Sequence, residues 1–252
     1  QFFDISIIDV SGQNVEVLAT NGVSKLGGDD FDLIVQKLVS EKFKEETGEE
    51  MNLEDYTKNA AENEKKSLSK RDKCKVRVSP VNIEITRNEF EKAISSLIAQ
   101  TEMLCETTID EAKLSVGDIK GVFLVGGSTR IPCVRESVLK VFKKEPISSA
   151  NVDEVVALGA ALYAAYKSDR SQLNAVQKKA VGQIKVSEIT GKCFGIISTR
   201  EDEARKKRVD ENSVIITKGE KIPISVTKQY ATLEDGQTGL HCQVTESTAP
   251  ET

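Results

Sequence analysis

The run Val122-Phe123-Leu124-Val125, stopped at once by Gly126-Gly127-Ser128, constrains this chain more than any other stretch. Four apolar residues in a row read as a strand buried on both faces, the kind found in sheets covered by helices on either side. Glycine ends the strand, and Ile131, Val134, Val138 and Phe142 then recur at helical spacing. A strand, a tight turn and a helix in that order point to α/β architecture, not to a helical bundle or an all-β protein.

The surrounding sequence extends the pattern to about residue 167. Phe2–Ile8 and Val15–Leu18 flank turn residues Ser11-Gly12-Gln13-Asn14 and predict a hairpin. From about Asp29, the residues Phe31, Ile34, Val35, Leu38 and Phe43 form one helical stripe, which Gly48 ends. A second, highly charged helix is expected over 53–69, then short strands around Lys75–Ser79 and Asn82–Ile85. Thr86-Arg87-Asn88-Glu89 spells a capping box for a long helix carrying Phe90, Ile94, Leu97, Ile98, Leu104, Cys105 and Ile109. Asp153 is placed to cap one more helix, with the stripe Val155, Leu158, Leu162, Tyr163 and Tyr166. Residues 168–184 are polar and connect to a different texture. From 185 onward the chain reads as strands and turns, with Cys193–Ile197, Ser213–Thr217, Ile222–Tyr230 and Leu240–Val244 as strands, and the charged stretch Arg200–Glu211 as a solvated loop.

Composition narrows the function classes. A net charge of -5 over 252 residues argues against a general nucleic-acid binder. No apolar run approaches the ~20 residues that cross a bilayer. The five cysteines are far apart and lack metal-ligand spacing, so buried thiols in a reducing cytoplasm are expected. A single histidine, His241, excludes any mechanism built on a histidine pair. Gln1 in place of Met is what a piece of a longer protein would show.

Four groups of residues could carry chemistry. Gly126, Gly127 and Ser128 let a ligand approach the backbone, with N–H groups beyond them and Arg130 able to lay a flat guanidinium on a ring; a plain strand-to-helix turn has the same sequence. Glu62, Lys65, Lys66 and Ser69 share one helical face, suited to ribose hydroxyls and equally to solvent. Gly27-Gly28-Asp29-Asp30 is an acidic helix start, with room for a ligand at Gly28. Asp4 could help hold a hydrated cation, or be structural.

These residues occur in an order that resembles the heat shock protein 70 family. Leu26-Gly27-Gly28-Asp29-Asp30-Phe31-Asp32, Asp110-Glu111-Ala112-Lys113-Leu114, Val122 through Pro132 and Asp153 through Ala161 all match, over about residues 1–166. The resemblance implies the second lobe of an actin-like ATPase fold on a ribonuclease-H-like sheet, residues 1–167, with an α+β tip subdomain at about 29–115. A linker at 168–184 and a partial all-β sandwich of the substrate-binding domain, 185–252, follow. It implies that Gly28, Glu62, Lys65, Lys66, Ser69, Gly126, Gly127, Ser128, Arg130, Ile131 and Asp153 bind the adenosine part of ATP or ADP. Asp4 falls near Mg²⁺, and Leu233 and Leu240 face an extended apolar peptide. The phosphate loops and catalytic lobe would lie in the parent outside this chain, so no catalytic residue is assigned. Four positions depart from the family pattern: Lys66 for arginine, Gln1-Phe2 for a Gly-Thr pair, and Val152 for proline; the family's leucine-rich linker is also missing from its usual place.

The function so implied is that of a cytoplasmic chaperone of protein folding and the stress response, coupling ATP hydrolysis to release of unfolded peptides. Its partners would be a J-domain co-chaperone and a nucleotide exchange factor, with neither nucleic acid nor membrane. Two other readings stand beside it: a non-hydrolysing, nucleotide-bound scaffold or holdase, and an actin-like filament protein or sugar kinase, which the β-rich tail opposes.

Overall fold

A computed structural model describes residues 3–52, 54–148, 152–182, 184–202 and 207–249. The chain is mixed α/β and divides into two units: residues up to Ile5 with Asn21–Gly182, and Ser6–Thr20 with the chain beyond Gly182. The hairpin of β1 (Phe3–Ser11) and β2 (Asn14–Val23) contributes its base to the first unit and its tip to the second.

The first unit is built on α1 (Gly28–Thr47), α2 (Lys58–Leu68), the antiparallel pair β3 (Lys73–Val78) and β4 (Val81–Thr86), and α3 (Arg87–Glu111). α1 starts where Gly27 N–H donates to Asp30 Oδ2 at 2.8 Å. It ends at Gly48, whose φ of 77° lets its N–H reach back to Lys44 O. Its stripe of Phe31, Val35, Val39 and Phe43 is buried against Val76, Val78, Ile83 and Ile85 of the β-pair and Phe90 and Ile94 of α3. The charged helix expected from residue 53 begins later, at Lys58, because Thr57 caps it by accepting from Ala60 N–H; residue 53 lies outside the described residues.

The capping box of α3 is present in full. Thr86 N–H donates to Glu89 Oε2 at 2.8 Å, and Glu89 N–H to Thr86 Oγ1 at 3.2 Å. Lys42 adds an ion pair to Glu89 at 2.7 Å. Lys42 and the two Thr86 donors together push the Glu89 carboxyl from 4.5 down to about 2. A carboxyl held low in the fold stabilises above its unfolded value and loses that contribution as pH falls toward the folded one. Wild type is therefore expected to exceed Glu89→Gln in Tm at pH 6, with the gap closing as pH drops from about 4.5 toward about 2. The side chain is partly exposed, so solvent screening keeps the full gap to about 1 kcal/mol or less. Thermal unfolding across that range reads it, and a constant gap would contradict it.

After α3 come β5 (Phe123–Leu124), a 3₁₀ turn at Gly127–Arg130, α4 (Pro132–Phe142), β6 (Ile147–Ser148), α5 (Val155–Lys167), a 3₁₀ turn at Arg170–Gln172 and α6 (Ala175–Val181). Two expectations are corrected here. The run Val122–Val125 is not buried on both faces: only Phe123 and Leu124 are strand, paired in parallel with β6, and Phe123 is 66% exposed. The apolar stripe of α5 likewise faces outward, since no residue of that helix is buried. Both follow from a two-stranded sheet too small to cover a helix. Asp153 does not cap α5, whose N-cap position is Glu154; its carboxylate is held by Arg130 instead.

The second unit contains β7 (Lys185–Ile189), β8 (Cys193–Asp202), β9 (Lys207–Ile216), β10 (Lys221–Ile222) and β11 (Val244–Ser247). β7 pairs in parallel with the hairpin tip, Asn14–Glu16 beside Lys185–Ser187, and antiparallel with β10. β8 lies between β11 and β9 in a second sheet. Arg200–Glu211 is therefore not a loop: most of it forms the facing ends of β8 and β9, with residues 203–206 outside the described residues. Its polar side chains pair across the strands, Thr199 Oγ1 donating to Asp210 at 2.7 Å and Arg200 bonding Glu211. The strand expected over Ile222–Tyr230 stops at Ile222, because Pro223 has no N–H to continue the ladder. Leu240 and Cys242 precede β11 and lie outside any strand.

Cys105 and Cys193 are buried as expected, Cys74 and Cys133 are half-buried, and Cys242 is exposed. Among the described residues no helix is long and apolar enough to cross a membrane. The Gln1-Phe2 departure lies outside the described residues.

Candidate functional site: a cavity in the first unit

The first unit carries an open cavity of about 1110 Å³, slightly above the ~300–1,000 Å³ usual for small-molecule sites. One wall is the start of α1, with Leu26, Gly27, Gly28 and Phe31, and one face of α2, with Glu62, Lys65, Lys66, Ser69 and Lys70. The opposite wall is the turn Gly126–Ile131. Phe3 and Asp4 of β1 also line it.

The glycine turn supplies an open wall. Gly126 has φ 93°, a conformation that L side chains rarely adopt, and Thr129 locks it by donating from both N–H and Oγ1 to Gly126 O, at 3.2 and 2.7 Å. A Cβ at Gly126 or Gly127 would meet nothing within 4 Å, so both α-carbons border open space. Gly22 plays a different part: a Cβ there would collide with the Asp4 carboxylate, so glycine makes room for Asp4 on the cavity wall.

Three of the four cations on the lining, Lys65, Lys66 and Arg130, each have a carboxylate partner; the fourth, the exposed Lys70, makes no ion pair among the described residues. Lys65 Nζ lies 2.6 Å from Asp32 Oδ1, an ion pair without hydrogen-bond alignment at that oxygen, and donates to Gly28 O at 2.9 Å. Both side chains are buried, Lys65 at 10% and Asp32 at 3% exposure. Burial raises the Asp32 carboxyl above the usual carboxylate range, and Lys65 only partly offsets it. Lys66 pairs with Glu62 at 2.8 Å along the same helix and, as the first cause, lowers the Glu62 carboxyl. Arg130 Nη2 holds Asp153 Oδ2 at 2.7 Å. The neutralised part of the wall suits polar but uncharged groups, whose hydroxyls and ring nitrogens need donors and acceptors more than charge, while Lys70 leaves one positive charge on the lining. Arg130 is about half exposed and keeps a guanidinium plane that can lie on a flat ring.

The structure thus brings Gly28, Glu62, Lys65, Lys66, Ser69, Gly126, Gly127, Ser128, Arg130 and Ile131 together around one cavity, with Asp4 beside them. Asp153 is not on the lining and acts on it through Arg130. Leu233 and Leu240 are 47% and 81% exposed, and neither is on the lining of this cavity. Among the described residues no cluster of three or more histidines, cysteines, aspartates or glutamates could hold a metal ion.

Sequence reasoning missed the inner end of the cavity, where α3 and α4 present Ile98, Thr101, Cys105, Val134, Ser137, Val138 and Val141. These positions repeat at helical spacing and read as ordinary core. Cys105 is buried there, which pushes its thiol up to about 12. Asp32 was also missed as the partner of Lys65; an acidic residue inside the apolar stripe of α1 was the available signal.

The family described as "Hsp70 protein" matches residues 1–252. "Chaperone protein HscA" of Buchnera aphidicola subsp. Schizaphis graminum (strain Sg) is 35% identical over 236 residues, covering 94% of this chain and 36% of the relative. "Chaperone protein HscA homolog" of Histophilus somni (strain 129Pt) is 34% identical over 242 residues, 96% of this chain and 36% of the relative. The chain therefore spans little more than a third of the length of these curated relatives.

Proposed function

We propose that this chain, which belongs to the Hsp70 family, binds the adenosine part of ATP or ADP in the cavity between α2 and the Gly126–Ile131 turn. The observation that carries this reading is the stretch of lining where Lys65, Lys66 and Arg130 are neutralised by Asp32, Glu62 and Asp153 in turn, beside a glycine wall open to a ring, with Lys70 the remaining cation of the lining. Such a wall reads a nucleoside. A phosphate would call for a cluster of unpaired cations or free N–H groups, whereas three of the four cations on the lining are already paired.

In this reading Arg130 and Ile131 take the purine faces, and Glu62, Lys65 and Ser69 take the ribose hydroxyls. The first unit corresponds to the second lobe and tip of an actin-like nucleotide-binding domain, and the β-rich second unit to the opening strands of a peptide-binding sandwich. In the parent protein, ATP turnover would gate the capture of extended apolar peptides, with Leu233 and Leu240 toward the peptide, and a J-domain co-chaperone and exchange factor would act on the cycle in the cytoplasm. Mg²⁺ would arrive with the phosphates, with Asp4 on the cavity lining toward it.

Calorimetric titration of this chain tests the reading. Adenosine and ADP are expected to bind within about tenfold of one another, a difference of about 1.4 kcal/mol, and inorganic phosphate not to compete. Phosphate binding without adenosine binding, or no adenosine binding at all, would refute it.

A further inference from the structure

We propose that Asp32 is a positioning residue of the nucleoside site: its buried carboxylate fixes the Lys65 ammonium on the Gly28 carbonyl and so sets α2 against the start of α1. The inference rests on the nucleoside reading above and deepens it. Asp32 itself is not on the cavity lining, whereas Lys65 and Gly28 are.

The geometry argues for a dedicated latch. Asp32 lies one turn into α1, and its Oδ1 meets Lys65 Nζ at 2.6 Å while the same ammonium donates to Gly28 O at 2.9 Å. One nitrogen thereby ties together the first turn of α1, the carboxylate below it and the last turn of α2. A lysine side chain free in solution samples many rotamers, and a buried pair holds it to one. Burying two charges is a poor way to gain stability, because apolar residues of similar volume do as well or better. Lys58 and Asp29, 2.5 Å apart, already join the same two helices at the exposed rim. What the buried pair adds is the fixed height of Lys65 along the cavity wall, opposite Gly126 and Gly127. Without Asp32 the ammonium would have a single carbonyl partner in a buried place and would swing outward to water, across the ribose-reading face.

The experiment compares Asp32→Asn, Lys65→Met and the double variant in the full chain. Adenosine affinity is expected to fall about tenfold in each single variant and no further in the double, the non-additivity of a pair that acts as one unit. A role in stability alone gives a different pattern: Asp32→Asn lowers the Tm and leaves the adenosine Kd within about twofold of wild type. That result overturns the proposal. A second readout needs no ligand. The Lys65 ammonium protons are expected to give a slowly exchanging NMR signal in wild type that disappears in Asp32→Asn. If wild type fails to bind adenosine but shows this signal and its loss, the nucleoside reading fails and the latch survives. If the signal is missing in wild type or unchanged in the variant, the latch is wrong whatever binds.

Discussion

Phe90→Ala is expected to destabilise the first unit by about 3–5 kcal/mol, the largest stability loss of any single substitution considered for this chain. Phe90 is 1% exposed and stands at the first turn of α3, directly after the capping box. Its ring meets Phe31 of α1 edge-on, with centroids 6.5 Å apart and planes at 84°. Truncation removes the transfer energy of the ring, leaves a cavity lined by Val35, Ile83, Ile85 and Ile94, and breaks the aromatic pair, itself worth about 0.5–1.5 kcal/mol. Those neighbours sit on three different elements that hold one another in place, so they cannot collapse far into the gap. Against a total stability of about 5–15 kcal/mol, such a loss leaves little reserve. Urea unfolding followed by far-UV circular dichroism measures it. A loss below about 1.5 kcal/mol would mean that this core repacks freely, contrary to the packing described.

Gly126→Val is expected to weaken adenosine binding by about a hundredfold while leaving the core of the first unit folded. The position has φ 93° and ψ 155°, and a β-branched residue there is strained by about 1–3 kcal/mol, enough to turn the peptide over. A Cβ would meet no neighbour, so the damage comes from the backbone and not from a clash. Turning the peptide breaks the two bonds from Thr129 to Gly126 O and moves Ser128 and Arg130 off the wall. Gly127→Ala separates the two effects. Gly127 has no positive φ, so alanine fits its backbone; the new methyl only narrows the approach of the ligand, and a loss of about tenfold at unchanged Tm is expected. Equal losses in both variants would show that the ligand is sensitive to bulk and not to the backbone of the turn.

The sequence made some of this legible because local chemistry decided it. Thr86 and Glu89 bond each other across three residues, so their spacing alone announces α3. Gly48 takes the left-handed conformation that helix ends favour, and the Phe31–Phe43 stripe has only one way to face a core. The candidate site was legible for a related reason, since Glu62, Lys65, Lys66 and Ser69 must share a face on any helix and the glycine doublet must be a turn. What stayed hidden depends on partners distant in sequence. Asp153 has the composition of a cap, but Arg130, 23 residues earlier, takes its carboxylate. Arg200–Glu211 has too much charge to look like a strand pair, yet cross-strand partners such as Thr199 and Asp210 neutralise and align it. Phe123 and Val125 look like a buried strand, and their exposure reflects the number of strands beside them, which no four-residue window contains. Asp32 belongs with these: an acidic residue inside the apolar stripe of α1 hints at a buried partner, but that partner, Lys65, is 33 positions away.

Photoaffinity labelling of the chain with 8-azidoadenosine, followed by peptide mapping, tests most directly whether a purine lies against the glycine turn. The account predicts that label falls on the peptides carrying Gly126–Ile131 and Glu62–Ser69, that unlabelled adenosine competes it away, and that Gly126→Val abolishes it. Competable label confined to the second unit, on the β8–β9 hairpin for instance, would contradict it.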